Sequence, residues 1–301
     1  AVYLAALEQP KRYSLATMLA DVEMSIDQPS GEPWQPRNFD RMAHGEVLLF
    51  KALSLSYNLA TARLGLNLGL DVVVDMLRRL GIEHRVPEVP ALTLGAGEYS
   101  PYDMATLYQT IASGGYRTPL KTIRTVLDAH GEIDTRYELT YDRDVCLQAV
   151  YLLQYALIDV MKNGTGKGAY RYLPASLIAA GKTGTTNDGR DSWFAGFTGD
   201  LLTVSWIGRD DNGGTGLTGS SGALKVWSHF MAASSKRSLA YNMPEGMVVA
   251  TIDSSNGWIT GEGCPNAQRM PFIEGSQPRR STNCSPRKTG IRDWFQSLFG
   301  D

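Results

Sequence analysis

An apolar run, Leu177-Ile178-Ala179-Ala180, passes through Gly181 into Lys182-Thr183-Gly184-Thr185-Thr186, and two more strand-length segments follow at 193–198 and 201–207. Extended runs separated only by turn residues predict an antiparallel meander, because so short a connection returns the chain alongside itself. Nothing else in the chain constrains its fold as tightly. A three-stranded meander that begins on a lysine also places a cation at a sheet edge.

The rest of the pattern is helical. Residues 1–8 read as a helix stopped by Pro10, and a turn-rich stretch follows with Pro29, Gly31, Pro33 and Pro36. From about Glu46, apolar residues at helical spacing lead into Ser56-Tyr57-Asn58 and continue to Gly81. Pro101 opens a helix that ends at Gly114-Gly115, 145–161 forms another ending at Asn163-Gly164, and a last one runs over 221–231. Helices are thus expected to outnumber strands, with the strands clustered late, and no repeats are present. The organisation reads as one module, 1–233, followed by a tail, 234–301.

Composition excludes several function classes. With 301 residues, 43% hydrophobic and 20% charged, the chain is ordinary globular protein. A formal charge of -2 leaves no electrostatic footprint for nucleic acid. No apolar run approaches the roughly 20 residues of a membrane-spanning helix. Four scattered histidines, His44, His84, His130 and His229, form no ligand pattern, so neither a metal nor another cofactor is expected. Of three cysteines, Cys146 falls in a helical pattern and reads as a buried small hydrophobe. Cys264 and Cys284 lie in Gly/Pro/Asn/Ser-rich sequence, where a disulfide substitutes for a core; bonding them contributes about 3 kcal/mol by loop closure and implies an oxidising compartment.

A lone Lys-Thr-Gly means little, and the chain has a second copy at Lys288-Thr289-Gly290. Only the first follows a buried strand; the second lies among Pro278, Arg279, Arg280, Pro286 and Arg287, as does the S-x-x-K match at Ser285–Lys288. Ser56 and Asn58 taken alone also fit a helix cap. Gly164-Thr165-Gly166 fits a helix C-terminal turn. Lys182 alone fits a solvated strand-edge lysine that guards against aggregation.

Taken in order, however, Trp34-Gln35-Pro36-Arg37-Asn38-Phe39-Asp40, Ser56-x-Asn58, Leu94-Gly95 with Ser100-Pro101, Gly164-Thr165-Gly166, Lys182-Thr183-Gly184-Thr185-Thr186-Asn187 and Trp193-Phe194-Ala195-Gly196 resemble the transpeptidase domain of class A penicillin-binding proteins of the 1b type. The resemblance covers nearly the whole chain. It implies an α+β fold of the penicillin-binding/β-lactamase-like kind: an antiparallel sheet with helices on both faces plus a helical subdomain that contributes Ser56 and Asn58. In that family an S-x-x-K-P motif directly precedes the residues matching Ala1-Val2-Tyr3-Leu4, roughly five positions before Ala1, and two strands precede that, so only the later three strands are expected here.

The resemblance also implies the chemistry. A serine attacks the carbonyl between two terminal D-alanines of a peptidoglycan stem peptide, and the acyl group passes to an amine of a neighbouring stem. Lys182 lowers the pKa of the base lysine and draws in the terminal carboxylate; Thr183 and Thr185 bind that carboxylate, and the Thr185 N–H forms half of an oxyanion hole. Gly184 leaves room for substrate along the strand, Ser56 relays the proton to the leaving amine, and Asn58 holds the substrate amide and the base lysine. Stem peptides, β-lactams and other cell-wall synthesis proteins are the implied partners, at the periplasmic face of a bacterial inner membrane. A non-catalytic binding fragment and a carboxypeptidase- or β-lactamase-like hydrolase are the competing readings. Finally, Ile291, Trp294, Phe295, Leu298 and Phe299 share one helical face at the chain end.

Overall fold

The computed structural model describes residues 1–28, 31–282 and 284. Helix α1 (Val2–Leu7) is buried along its whole length. Strand β1 (Met18–Asp21) pairs antiparallel with β2 (Gly45–Leu48), Met18 opposite Leu48 and Asp21 opposite Gly45. This corrects the helix expected from about Glu46. Val47 and Leu48 suit a strand as well as a helix, and the partner that decides between them lies far upstream. The long helical pattern is then cut twice, into α2 (Leu49–Ser54), α3 (Asn58–Leu68) and α4 (Leu70–Arg79). The cuts fall at Ser56 and Gly69, both with positive φ.

Helix α5 (Pro101–Ala112) starts at a reciprocal cap, the Ser100 side chain accepting from Asp103 N–H while the Asp103 carboxylate accepts from Ser100 N–H. Four short strands follow, β3 (Tyr116–Arg117), β4 (Thr125–Leu127), β5 (Ile133–Arg136) and β6 (Asp142–Arg143), paired β3 with β6 and β4 with β5. Helix α6 (Leu147–Lys162) begins one residue after Cys146. Cys146 is therefore exposed at the N-cap, not buried, its N–H bonded to Glu8 Oε1 at 2.8 Å. The apolar stripe of α6 does not reach back to a residue with extended backbone.

The meander is β7 (Ala180–Thr185), β8 (Ser192–Phe197) and β9 (Leu202–Ile207), in that spatial order. Its register sets Lys182 opposite Ala195 and Ala195 opposite Val204. Because side chains alternate, Phe194 and Gly196 face one side, where α7 (Ala223–Ser234) lies. Trp227 of α7 is fully buried there, its ring tilted at 58° against Phe194 and its indole N–H donating to the Gly196 carbonyl. A Cβ on Gly196 would come within 2.7 Å of Phe194 and 3.0 Å of Trp227, so only glycine admits that approach. On the opposite face Ala180, Phe197 and Leu202 join a core with Leu107 and Ile111 of α5 and Val150, Leu153 and Leu157 of α6. The sheet thus carries helices on both faces, as the fold class requires.

The last of the described strands, β10 (Met247–Asp253) and β11 (Ala267–Ile273), pair antiparallel. Met247, Ile252, Met270 and Phe272 pack into the same core as α1 and α6. Cys264 and Cys284 are disulfide-bonded, with a Cα–Cα distance of 5.8 Å. Among the described residues strand segments outnumber α-helices, contrary to expectation, because the short hairpins outside the meander carry no distinctive alternation. The second Lys-Thr-Gly with its S-x-x-K neighbour, and the apolar stripe over 291–299, lie outside the described residues.

Candidate active site

The elbow between α2 and α3 carries Ser56 in the left-handed region, φ 60. That conformation costs a non-glycine residue on the order of 1 kcal/mol and persists only where neighbours fix it. Here the fixing is explicit. Tyr57 N–H bonds the Ala52 carbonyl at 2.9 Å, Ser56 N–H bonds Leu53 O at 3.2 Å, and the Ser54 hydroxyl donates to Asp159 of α6 at 2.5 Å.

The cap of α3 is supplied by neither Ser56 nor Asn58. Asn38, 4% exposed, accepts from Asn58 N–H at 2.6 Å and Leu59 N–H at 3.2 Å through Oδ1. Its amide nitrogen donates to Asp21 Oδ2 and to the Met42 carbonyl, both at 2.7 Å. Asp21 is fully buried and also accepts from Ala60 N–H and from His44 N–H. The His44 ring meets Asp21 at 2.8 Å and Asp40 at 3.0 Å, and stacks on Tyr57. Within the Trp34–Asp40 motif Asn38 and Asp40 carry no task legible in the sequence, and His44 reads there as one of four scattered histidines. The signal was faint: a polar cluster far from the elbow in sequence.

Strand β7 is the sheet edge, and it brings Lys182 across 126 residues to the elbow, the ammonium donating to Ser56 Oγ at 2.8 Å and to the Thr183 carbonyl at 3.0 Å. Burial of the ammonium lowers the Lys182 pKa from 10.5 to about 8. No carboxylate lies within ion-pair distance of it among the described residues. It is a desolvated cation held only by neutral oxygens, an arrangement that favours an incoming anion.

The hydroxyls of Thr183 and Thr165 meet at 2.7 Å. Thr165 stands there because the turn after α6 closes tightly, Gly164 N–H on Asp159 O and Gly166 N–H on Val160 O. A Cβ on Gly164 would lie 2.1 Å from the Ser54 carbonyl, so glycine is what lets this turn cross the end of α2. The Gly-Thr-Gly segment is the helix-terminal turn expected, and it also buttresses the lysine strand. Thr185 Oγ1 accepts from Gly219 N–H at 2.8 Å, leaving its own proton free to donate. Gly184 faces Trp193 across the ladder. Asn58 donates through its amide to the Arg37 carbonyl at 2.8 Å; among the described residues it makes no hydrogen bond to Lys182 or Ser56. Among the described residues, no group of three His, Cys, Asp or Glu is placed to hold a metal ion.

Fold and site together define an α+β domain whose edge strand presents a desolvated lysine to a serine elbow. The family model described as the penicillin binding protein transpeptidase domain matches residues 4–207. Penicillin-binding protein 1B of Vibrio cholerae is 39% identical over 99% of this chain, and that of Escherichia coli 34% identical over 100%. The chain spans 38% and 39% of the length of those two relatives. The crystal structure of penicillin-binding protein 1A from Haemophilus influenzae superposes with a TM-score of 0.84 at 26% identity, over 93% of this chain and 48% of that one. PonA1 from Mycobacterium tuberculosis, in complex with penicillin V, shares the fold, with a TM-score of 0.67 at 23% identity over 81% of this chain and 69% of that one. The chain belongs to the penicillin-binding protein transpeptidase domain family, with relatives of the class A 1B type.

Proposed function

We propose that this domain cross-links peptidoglycan stem peptides by D,D-transpeptidation through a serine acyl-enzyme, and that β-lactams acylate the same serine. The observation that carries the reading is the desolvated Lys182 ammonium, 2.8 Å from the Ser56 hydroxyl and without a counter-carboxylate among the described residues. Its anion is the terminal carboxylate of the donor stem, which Thr183 and Thr185 bind from the strand edge. The nucleophile and base of this reading are the serine and lysine of an S-x-x-K pair, which α1 does not carry. The serine Oγ bonds to the penultimate D-alanine carbonyl carbon, the C–N bond to the last D-alanine breaks, and Ser56 passes the proton to that leaving amine. The Thr185 N–H stabilises the oxyanion, and Asn58 turns from the Arg37 carbonyl to the substrate amide.

In this reading residues 1–233 form the catalytic module and 234–301 a disulfide-braced tail, facing the periplasm from the inner membrane. Among the described residues no helix is long and apolar enough to cross a membrane. Labelling with a fluorescent penicillin tests the assignment. Protein extended upstream to include the S-x-x-K pair should retain label after denaturation, and Lys182→Ala in it should lose most of that label. Denaturation-resistant labelling of the 301-residue chain itself, at Ser56 or any other serine, would overturn these roles.

A further inference from the structure

His44 stands beside the serine elbow, and the chemistry proposed above gives it no task. Its ring presents both nitrogens to carboxylates: Nδ1 lies 2.8 Å from Asp21 Oδ2 of β1, and Nε2 lies 3.0 Å from Asp40 Oδ2 of the loop before β2. Carboxylate oxygens accept, so donation from both nitrogens requires the positively charged ring. Asp21 is fully buried, and His44 is its one ion-pair partner among the described residues. Burying a carboxylate is costly unless it is paired and hydrogen-bonded, and Asp21 is both, by the ring and by the N–H groups of Ala60 and His44.

The same ring stacks on Tyr57, the residue between Ser56 and Asn58, with centroids 4.0 Å apart and planes 19° from parallel. A cation against an aromatic face is attracted by the negative side of that ring's quadrupole as well as by dispersion. Tyr57 is also tied through its backbone, its N–H donating to the Ala52 carbonyl at 2.9 Å and its carbonyl accepting from the Thr61 hydroxyl at 2.7 Å. Ser56 is in the left-handed region, a conformation that its neighbours must hold. Any rotation of Tyr57 carries Ser56 away from the Lys182 ammonium, 2.8 Å from its hydroxyl, and swings Asn58 with it.

Resting on the transpeptidase reading above, we propose that His44 is a positioning residue for that reaction: charged and clamped between Asp21 and Asp40, it fixes Tyr57 and, through it, Ser56 and Asn58. It touches neither substrate nor the reacting atoms. The groups facing its ring are Asp21 from β1, Asp40 and Asn38 from the loop before β2, and Tyr57 from the elbow. Its effect falls on the rate of acylation, where Ser56 moves a proton. Capture of the donor carboxylate belongs to Lys182, Thr183 and Thr185 on a different element. A histidine that merely neutralised Asp21 would stabilise the fold and leave the rate of the folded protein unchanged.

The test is acylation by a fluorescent penicillin of the protein extended to carry the S-x-x-K pair. Following it over penicillin concentration, well below the melting temperature, separates the limiting rate from the half-saturating concentration. His44→Phe keeps a ring for Tyr57 but donates to neither carboxylate; His44→Gln keeps a donor without the charge or the stack. Each should lower the limiting rate of the folded fraction about tenfold and leave the half-saturating concentration within about twofold. Asp40→Asn, at an exposed carboxylate, keeps an acceptor for Nε2 and strands no buried charge, and should lower the rate about threefold. In the 301-residue chain the same variants should move the amide resonances of 56–58 and bind an N-acylated D-Ala-D-Ala peptide as the parent does. Variants of His44 that acylate at the parental limiting rate, or that lose affinity while the rate holds, would overturn the proposal. Should neither His44 variant fold, Asp40→Asn decides, and a parental rate there refutes it. An unsubstituted extended protein that takes no label would refute the transpeptidase reading and the role with it, whereas a labelled parent with unaffected variants refutes the role alone.

Discussion

Replacing Asn38 with alanine should damage the site without touching any residue that meets substrate. One amide side chain makes five hydrogen-bond contacts there: two accepted from N–H groups at the start of α3, one to the fully buried Asp21 carboxylate, one to the Met42 carbonyl and a longer one, at 3.4 Å, to the His44 ring. Loss of an N-terminal cap costs about 1 kcal/mol. Loss of a buried hydrogen bond to a charged group adds about 1.5–3 kcal/mol, since Asp21 has no water to replace it. Together these give roughly 2.5–4 kcal/mol, a large share of the 5–15 kcal/mol that holds a typical domain folded. Urea unfolding followed by circular dichroism reads the loss as a lower midpoint at unchanged slope. Asn38→Asp adds a diagnostic. It keeps the acceptor for α3 but faces Asp21 with a second carboxylate, so its deficit should shrink in acid, where one of the pair is protonated and can donate. A loss under about 1 kcal/mol for Asn38→Ala, or a pH-independent deficit for Asn38→Asp, would refute the reasoning.

Lys182 gives two opposite pH signatures. Its folded pKa of about 8 lies below the ordinary 10.5, so between those values the unfolded chain binds the extra proton and stability should rise with pH. Over the same range carboxylate binding should fall as the ammonium deprotonates. Equilibrium unfolding and titration with an N-acylated D-Ala-D-Ala peptide at pH 7 and 9.5 check both signs, and Lys182→Ala should abolish both dependences. Gly164→Ala should destabilise by on the order of 3 kcal/mol, because its Cβ meets the Ser54 carbonyl at 2.1 Å. Gly168→Ala, whose nearest neighbour is Leu224 at 3.7 Å, should be close to neutral in the same thermal melt.

The candidate site was legible where it is written in contiguous residues. Apolar runs and turn residues announced the meander; the register that aligns Lys182 with Ala195, and hence its face, follows from it. Lys182, Thr183, Gly184 and Thr185 are contiguous, so the sequence alone puts them together on one short strand. The disulfide was legible for a related reason: two cysteines in sequence too poor in apolar residues to form a core. What pattern could not supply was any feature fixed by a distant partner. The strand at Gly45–Leu48 exists because Met18–Asp21 lies beside it, and the break at Ser56 exists because Asn38, Asp159 and Asp21 hold the elbow in a conformation serine does not choose alone. Cys146 went from core to surface on a shift of helix start by two residues, from 145 to 147. Local periodicity encodes which face of an element is apolar. The lowered Lys182 pKa, the Asn38 cap and the His44 contacts depend on desolvation and hydrogen bonds between segments far apart in the chain, and those come into being only when the tertiary structure closes.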